Sequence, residues 1–346
     1  MLRIVLIALA VIVVGFVGYS YQVSQPVVDG RLGAFEPQIA DPSDAWTFAR
    51  SEEGLIWVTA HEGNAVRGVN LTEVFGAEAT ADLVAFVADL DASAIDGVDL
   101  VESSFPLESL LTPLDYPAPS VAAGTNFKEH AEEVYSEDPP FLFPKLTPAG
   151  PWNETVPFVS RLDYEAELCM FPLADIDSAE TLPGFGLVLC NDFTDRLTLI
   201  REIDLGEPLG RTGFASGKGC ERCLPTGYLV VIPRSADFYL GLDLSLYVNE
   251  ELRQQFSMSD VILPIESIIS EAFASASMDY QKGNETVPLL PTGNIPKKTL
   301  ILTGTAAGVM FRPVNFWNQA FYLQPGDVVR TEATYLGHLE NVVVAD

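Results

Sequence analysis

The acidic residues with the clearest capacity for chemistry stand two positions apart. Glu165 and Glu167 lie in the segment Leu162-Asp-Tyr-Glu-Ala-Glu-Leu168, which predicts a strand, and Asp192 follows in Cys190-Asn-Asp-Phe193. Because alternate side chains of a strand point the same way, the two glutamates share a face. Three hard oxygen ligands that leave room for water and substrate suit Mg²⁺, Mn²⁺ or Ca²⁺. The alternative is an edge strand with two solvated glutamates, and spacing alone leaves both interpretations open.

A histidine and a glutamate three residues apart precede these acids. Residues Lys128 to Glu137 predict a short helix that ends before Asp138-Pro-Pro140, so His130 and Glu133 share a face. A carboxylate beside a neutral imidazole fixes its tautomer and raises its basicity, which makes His130 a candidate general base for a water molecule. The alternative is a surface histidine beside a helix-stabilising glutamate.

Several phrases around these residues occur in a recognisable order. They are Gly124-Thr-Asn-Phe-Lys-Glu-His-Ala-Glu-Glu133, Gly217-Lys218, Val248-Asn-Glu-Glu-Leu-Arg-Gln254, Leu302-Thr-Gly-Thr-Ala-Ala-Gly308 and Leu323-Gln-Pro-Gly-Asp-Val328. Each phrase alone is a weak signal. As an ordered series, they resemble the fumarylacetoacetate hydrolase family over about residues 107–343.

The resemblance implies roles for further residues. Lys218 matches a lysine that lies beside the metal and contacts the substrate oxygens, and Arg196 matches an arginine that receives an acidic substrate group. Thr305 matches a threonine whose hydroxyl and backbone bind a 2-oxo-carboxylate, and Gly304 and Gly308 would let the main chain approach closely. The alternatives are a solvated lysine, an arginine in a surface salt bridge and an ordinary turn.

The reaction implied by the resemblance is metal-assisted cleavage of a carbon–carbon bond in a small anionic 2-oxo acid or 1,3-diketone of the acylpyruvate type. The family's hydrolases use a His-x-x-Glu pair on a short helix that orders over substrate, which matches His130 and Glu133. Two alternatives stay open: a 2-oxo acid decarboxylase or isomerase on the same metal and lysine, and a non-catalytic extracytoplasmic protein that binds 2-oxo acids. A substrate-binding glutamine of the family is replaced here by Leu199, so the substrate is not identified. The resemblance also implies a homodimer.

Charge limits the partners of this chain. With 48 Asp and Glu against 19 Lys and Arg, the net charge is −29. Nucleic acids and anionic membrane surfaces would repel such a protein. Any anionic substrate therefore needs a local cluster of cations.

The N-terminus predicts export. After Arg3 the chain is apolar from Ile4 to Val17, a length between that of a signal-peptide core and that of a membrane span. Residues 1–20 are interpreted as a signal anchor or signal peptide, with an uncleaved anchor favoured, and residues 21–44 as an extended stalk. The remainder is expected on the periplasmic or extracytoplasmic face of the membrane.

The rest of the chain predicts an α+β, mostly β fold. Residues 45–106 form a small N-terminal α+β domain, in which Trp46–Arg50 and Leu55–Ala60 predict strands. One helical face in this domain is expected to pack against the catalytic unit, and its members are Leu83, Phe86, Val87 and Leu90. Residues 107–346 are rich in strands and turns, and the resemblance implies a catalytic domain with the family's mixed β-roll.

The four cysteines predict a disulfide. Cys220 and Cys223 form a Cys-x-x-Cys pair without a second pair at zinc-site spacing, and in an exported protein these two are the favoured disulfide partners. By strand parity, Cys169 and Cys190 are expected one step below the acidic cluster.

Overall fold

Two large β-sheets make up most of the molecule. The computed structural model describes residues 2–33, 36–89 and 101–345. Within these residues the larger sheet has eleven strands, and Leu110–Leu111 pairs beside Ala45–Ser51 at its side. The main path runs in the spatial order Glu102–Pro106, Ala65–Asn70, Gly54–Glu62, Ala45–Ser51, Val230–Pro233, Phe185–Asn191, Ala166–Pro172, Ile301–Leu302, Ser120–Gly124 and Phe141–Lys145.

The second large sheet has five strands within the described residues. Its order is Glu251–Ser257, Asp243–Val248, Val328–Ala333, Gly337–Val344 and Val156–Pro157. Two small strand pairs complete the β-structure: Leu162–Asp163 with Thr194–Asp195, and Asp279–Lys282 with Glu285–Pro288. Each large sheet mixes antiparallel neighbours with one parallel pair.

Most of the helices are short. The α-helices in the described residues are Leu2–Val23, Leu71–Phe75, Ala77–Thr80, Leu83–Asp89, Lys128–Glu133, Arg196–Glu202, Phe214–Gly217 and Ile265–Ala274. Short 3-10 turns occupy Leu107–Ser109, Phe238–Gly241, Met258–Asp260 and Gln319–Phe321. The predicted α+β, mostly β architecture with an N-terminal apolar helix is confirmed.

The centre of the larger sheet is buried on both faces. Every residue of Ala166–Pro172 and of Phe185–Asn191 is buried. Their sequences carry apolar residues at both strand parities, which is the pattern of a strand covered from two sides. Polar residues at the ends of these two strands therefore have to find partners inside the protein.

Buried side-chain amides tie the two large sheets together. The Asn191 side chain donates to Thr331 Oγ1 at 3.2 Å, and Gln254 Oε1 accepts from the backbone N–H of Ala166 at 3.0 Å. Because each bond links a central strand of one sheet to a strand of the other, the sheets meet at the ends of the central strands. The acidic residues singled out in the sequence lie at this junction.

The strands of the N-terminal region extend the larger sheet. Ala45–Ser51 pairs antiparallel with Val230–Pro233, so residues from the first third of the chain share hydrogen bonds with the catalytic region. Leu83, Phe86 and Val87 are buried in the main core cluster, as their spacing predicts. Leu90 lies outside the described residues, and the domain boundary at residues 106–107 stays a prediction.

The N-terminal helix runs from Leu2 to Val23, three residues past the end of the predicted signal segment at residue 20. Its stretch from Arg3 to Val23 is long and apolar enough to cross a membrane and is almost wholly uncovered by the rest of the protein. Ser20, in contrast, is fully buried, and its hydroxyl donates to Val314 O at 2.7 Å. The last turn of the helix therefore docks on the body of the protein.

Two disulfides bond all four cysteines. Cys220 is joined to Cys223, as predicted, and Cys169 is joined to Cys190. The second bond links the two central strands, which pair antiparallel and place these residues diagonally across from one another. The strand parity that placed Cys169 and Cys190 near the acids did not identify them as partners.

Removing the Cys169–Cys190 disulfide is expected to destabilise the protein more than removing Cys220–Cys223. The first closes a sequence separation of 21 residues and the second a separation of 3. Chain entropy then gives a loss of about 3 kcal/mol for the double variant Cys169→Ala/Cys190→Ala and roughly half of that for Cys220→Ala/Cys223→Ala. Urea unfolding without reductant, compared with the reduced parent, measures both. Equal losses, or the reverse order, would contradict this assignment.

Candidate active site

Three carboxylates from two stretches of chain converge in the core. Glu165, Glu167 and Asp192 are buried, and one carboxylate oxygen from each lies within 4.8 Å of the others. Asp192 directly follows the central strand Phe185–Asn191, and Glu167 lies in its neighbour Ala166–Pro172. Strand pairing therefore brings the ends of two segments together at the junction of the sheets.

Glu165 does not lie within a strand, although the sequence predicts one across it. The chain leaves the small pair at Asp163 and enters the central strand at Ala166. Between them, the Glu165 backbone N–H donates to Asn191 Oδ1 at 3.0 Å, and Glu165 O accepts from the Asp192 N–H at 2.9 Å. The two glutamates still converge because these bonds hold the connecting residues against the neighbouring strand end.

Two cations neutralise Glu165. Lys218 Nζ lies 2.7 Å from Glu165 Oε2 and 2.7 Å from Asp192 Oδ2, and Arg196 Nη2 lies 2.6 Å from Glu165 Oε1. Burial would raise the pKa of Glu165, but Lys218 and Arg196 outweigh it and lower that pKa to about 2. For Lys218, Asp192 and Glu165 overcome the effect of burial and raise its pKa. The ion pairs keep this part of the site charged.

Glu167 has a different environment. Its Oε2 accepts a hydrogen bond from the Gly304 N–H at 2.7 Å. Burial, and then the like charges of Asp192 and Glu165, raise the pKa of Glu167 well above its ordinary value. A buried carboxylate without a cation of its own keeps its proton or binds a metal ion. Together with the hard oxygen donors of the cluster, this excess of negative charge fits a divalent cation such as Mg²⁺ or Mn²⁺.

A second lysine, Lys145, which the sequence analysis missed, contacts the acidic cluster through Asp192. Lys145 is fully buried, with Nζ 2.6 Å from Asp192 Oδ1, and it donates to the carbonyls of Phe193 and Cys223. The contact with Asp192 is an ion pair at hydrogen-bonding distance. Burial lowers the pKa of Lys145. The signal was a lone lysine ending the apolar strand Phe141–Lys145.

Asp163 is the other acid that the sequence analysis passed over. It stands two residues before Glu165, so the parity that selected Glu165 also includes it. Its Oδ2 lies 2.8 Å from Arg196 Nε, and its two oxygens accept from the backbone N–H groups of Met310 and Phe311. Asp163 thus fixes both Arg196 and the loop above the site.

The predicted His–Glu pair is present on the helix Lys128–Glu133. His130 Nδ1 lies 3.3 Å from Glu133 Oε2, and both side chains are buried. The other oxygen of Glu133 accepts from the Gly308 N–H at 2.8 Å and is paired with Arg312 Nη2. Arg312 was not identified from the sequence, because it lies in an insertion with no motif of its own. The three side chains form a buried chain of contacts from Arg312 to the imidazole.

The helix that carries His130 ends four residues before the predicted Glu137. Tyr135 adopts a left-handed backbone with φ of 58°. The Ser136 N–H then bonds to Ala131 O at 2.9 Å, and the Tyr135 N–H bonds to Glu132 O at 3.2 Å. This pair of bonds is a Schellman motif, which closes the helix before the prolines are reached.

The glycine-containing turn supplies backbone donors. Gly304 has φ of 89°, and a Cβ there would meet Ala123 O at 3.0 Å, so only glycine lets its N–H approach Glu167. The Thr305 hydroxyl donates to Ala166 O at 2.8 Å and accepts from Gln254 Nε2 at 2.9 Å. Its hydrogen is therefore used inside the protein, and a role for Thr305 or Gly304 toward substrate stays a prediction.

A cavity of about 380 Å³ opens above these groups. Its polar lining includes His130, Glu165, Arg196, Lys218 and Thr305. The remaining predicted residues contact this set: Glu133 bonds to His130, Asp192 to Lys218, and Glu167 to Gly304, whose neighbour is Thr305. All nine sequence-predicted site residues therefore belong to one connected group beside one cavity.

Comparison with known proteins identifies the family. The family model for the fumarylacetoacetate (FAA) hydrolase C-terminal region matches residues 120–344. An uncharacterized protein of Staphylococcus aureus (strain USA300) is 28% identical over 255 residues, which cover 69% of this chain and 73% of that protein.

Solved structures share the fold. A probable 2-hydroxyhepta-2,4-diene-1,7-dioate isomerase from Mycobacterium abscessus aligns with a TM-score of 0.59 at 23% identity, covering 87% of this chain and 99% of its own. Maleylpyruvate hydrolase from Sphingobium sp. SYK-6, solved in complex with manganese(II) ion and pyruvate, aligns with a TM-score of 0.54 at 20% identity, covering 86% and 99%. The chain therefore belongs to the fumarylacetoacetate hydrolase family of enzymes that act on carbon–carbon bonds, as the ordered phrases in its sequence predict.

Proposed function

We propose that this protein is a divalent-metal-dependent hydrolase that cleaves a carbon–carbon bond in a 2-oxo acid or 1,3-diketone of the acylpyruvate type. The observation that carries the proposal is the convergence of Glu165, Glu167 and Asp192 beside a cavity that also contains His130. A divalent ion held by these three carboxylates supplies Lewis-acid polarisation of adjacent substrate oxygens. The manganese and pyruvate in the solved maleylpyruvate hydrolase support the same type of site.

His130 is the general base in this proposal. Glu133 accepts the Nδ1 hydrogen, which leaves Nε2 free to take a proton from water. As that proton leaves, the water oxygen bonds to the acyl carbonyl carbon. The bond from this carbon to the pyruvate methylene then breaks, and its electron pair forms the pyruvate enolate. Protonation of the enolate gives a 2-oxo acid, and the acyl part leaves as a carboxylic acid.

Together with the divalent ion, Lys218 and Arg196 would provide the positive charge that an anionic substrate needs. The protein as a whole carries −29, so its general field repels anions. Both cations line the cavity at its buried end, where low dielectric strengthens their effect. Arg196 is also bound to Asp163 and Glu165, so it holds the acidic cluster in place while facing the cavity.

The same charged groups would also serve an isomerase or decarboxylase. The solved structure of a probable isomerase with the same fold supports that alternative. The buried chain from Arg312 through Glu133 to His130 favours hydrolysis, because it orients an imidazole toward water activation. A protein that binds 2-oxo acids without turnover is the remaining alternative, and it would show heat of binding without product.

The catalytic region lies outside the cytoplasm in this proposal, tethered by the N-terminal helix. Arg3 precedes the apolar stretch and remains on the cytoplasmic side under the positive-inside rule. The two disulfides support an oxidising compartment, where such bonds persist. Dimerisation stays an expectation from the family.

Metal binding is expected to depend on Glu167 and to strengthen as pH rises. The Glu167→Gln variant should bind Mn²⁺ at least tenfold more weakly by calorimetry, since a neutral amide replaces an anionic carboxylate ligand. Because the pKa of Glu167 is raised, the metal-free folded state holds a proton that the unfolded chain releases above pH 4.5. The contribution of Glu167 to stability without metal therefore falls as pH rises above 4.5, and Mn²⁺ must displace that proton.

The glutamine variant resembles the protonated glutamate in shape, so it should unfold at no lower urea concentration than the metal-free parent at neutral pH. Glu180→Gln, on an exposed residue, serves as the control and should bind Mn²⁺ like the parent. Equal Mn²⁺ affinity in Glu167→Gln and the parent would remove this residue from the metal site.

Replacing the base should stop hydrolysis without stopping ligand binding. His130→Ala is expected to lower kcat for acetylpyruvate about 10²- to 10⁴-fold, followed by loss of diketone absorbance with Mg²⁺. Glu133→Gln should cause a smaller loss, while Glu132→Gln, on the exposed face of the same helix, should have no effect. Oxalate binding should persist in all three variants. Unchanged hydrolysis in His130→Ala would contradict the base assignment, and surviving decarboxylation there would favour the alternative activity.

A reporter that is active only outside the cytoplasm, fused after Asp346, should be active in a bacterial host. The reason is that the apolar stretch from Arg3 to Val23 directs everything after it across the membrane. Deleting residues 2–20 should abolish the reporter signal and provides the control. A silent reporter on the full chain would show that the helix does not direct export.

A further inference from the structure

The cavity changes character from its buried end to its mouth. At the buried end lie His130, Glu165, Arg196, Lys218 and Thr305, all nearly inaccessible to solvent. Most of the half-buried side chains that line the cavity, apart from Ser136, are apolar, and they include Phe141, Ile200, Ile203, Leu209, Phe214 and Phe311. This order places a charged head-group site below an apolar channel.

The mouth of the cavity carries exposed residues of two kinds. Leu205 and Tyr135 are apolar or aromatic and are 87% and 61% exposed. Glu137 and Asp138 are exposed acids on the same rim. A second carboxylate at the far end of a substrate would meet these two acids, whereas an alkyl chain would meet the apolar wall.

The cations of the cavity are both at its buried end. Among the described residues that line it, the lysine and arginine side chains are Lys218 and Arg196, and each is bound to the acidic cluster. Leu199, which stands where the family often has a glutamine, is buried and contributes another apolar surface. The channel therefore offers apolar contact area but no basic group for a distal carboxylate.

The mouth also lies next to the base of the N-terminal helix. The side chain of Tyr135 is hydrogen-bonded to that of Tyr19 in the last turns of the helix. On the other side, Pro313 lines the cavity, and the next residue, Val314, accepts the hydrogen bond from Ser20. If the helix spans a bilayer, exposed aromatic side chains at this level, such as Tyr19 and Trp317, occupy the interface that aromatic residues favour.

We infer that the substrate is a monocarboxylic 2-oxo acid or acylpyruvate with an aliphatic chain, which fills the apolar channel and enters beside the membrane surface. The inference rests on the proposed function, because it assumes that the 2-oxo-carboxylate occupies the buried end. The apolar wall contributes binding in proportion to the alkyl area that it removes from water. A cavity of about 380 Å³ lies within the range that encloses a small organic ligand.

The test compares two 2-oxo acids of equal length with the shortest one. The full chain in nanodiscs of zwitterionic lipid, with Mn²⁺ present, is titrated calorimetrically with pyruvate, 2-oxohexanoate and 2-oxoadipate, and empty nanodiscs are subtracted. We expect 2-oxohexanoate to bind about thirty- to sixtyfold more tightly than pyruvate, from roughly threefold to fourfold for each of three additional buried methylenes. The dicarboxylate 2-oxoadipate should gain no more than threefold over pyruvate.

A matched pair of variants locates the chain. Ile200→Asn places an amide in the channel wall and should reduce the ratio of 2-oxohexanoate to pyruvate affinity at least fivefold. Val74→Asn makes the corresponding change on an exposed residue of the N-terminal region and should leave that ratio as in the parent. Equal affinity for pyruvate and 2-oxohexanoate, or tighter binding of 2-oxoadipate, would overturn the inference.

Turnover of acetylpyruvate and hexanoylpyruvate is measured on the same samples. Cleavage of both compounds at equal kcat/KM, together with equal affinities for pyruvate and 2-oxohexanoate, would leave the proposed function standing and overturn the inference. Binding that strengthens with chain length, without any cleavage, would overturn the proposed function and leave the preference for an aliphatic chain standing. Binding of none of the 2-oxo acids would overturn both.

Discussion

The structure depends on the compensation of buried negative charge at the junction of two sheets. Four acids lie there: Asp163, Glu165, Glu167 and Asp192. Removing a carboxylate from water costs several kcal/mol unless a cation or hydrogen-bond donors replace the solvent. Three cations, Lys145, Lys218 and Arg196, enter from three different elements and pair with these acids. The remaining excess of negative charge falls on Glu167, whose raised pKa marks the position where a divalent ion would complete the balance.

Backbone geometry links this charge compensation to His130 through Glu133. Gly308 has φ of 109°, and a Cβ there would meet Arg253 O at 2.0 Å, so the residue must be glycine for its N–H to reach Glu133. The same loop places Arg312 against Glu133, while Asp163 holds it from the other side. One loop thus connects the acidic cluster to the His–Glu pair. A shift of this loop would move His130 relative to Glu165, Glu167 and Asp192.

The N-terminal helix is attached to that same loop. Asn315 donates to Ser24 Oγ at 2.9 Å and to Met310 O at 2.8 Å, so one side chain contacts both the helix end and the segment held by Asp163. Ser20 bonds to Val314 on the neighbouring turn. The N-terminal helix and this loop are therefore packed as one unit, which ties the position of the cavity mouth to the position of the helix.

The sequence alone determined the family, the three metal-ligand candidates, the His–Glu pair and the apolar N-terminal segment, because each depends on local spacing or on ordered phrases. Strand parity is a local property, and it predicted that Glu165 and Glu167 share a side. Glu165 lies outside the strand, however, so its position follows from its backbone bonds to Asn191 and Asp192. Tertiary structure alone decided which cations meet which acids. Lys145 and Arg312 come from segments without a motif, and their roles follow from burial and from contacts between residues far apart in the chain. The apolar channel and its closeness to the helix likewise exist only once these segments meet, since no local pattern specifies which side chains share a cavity.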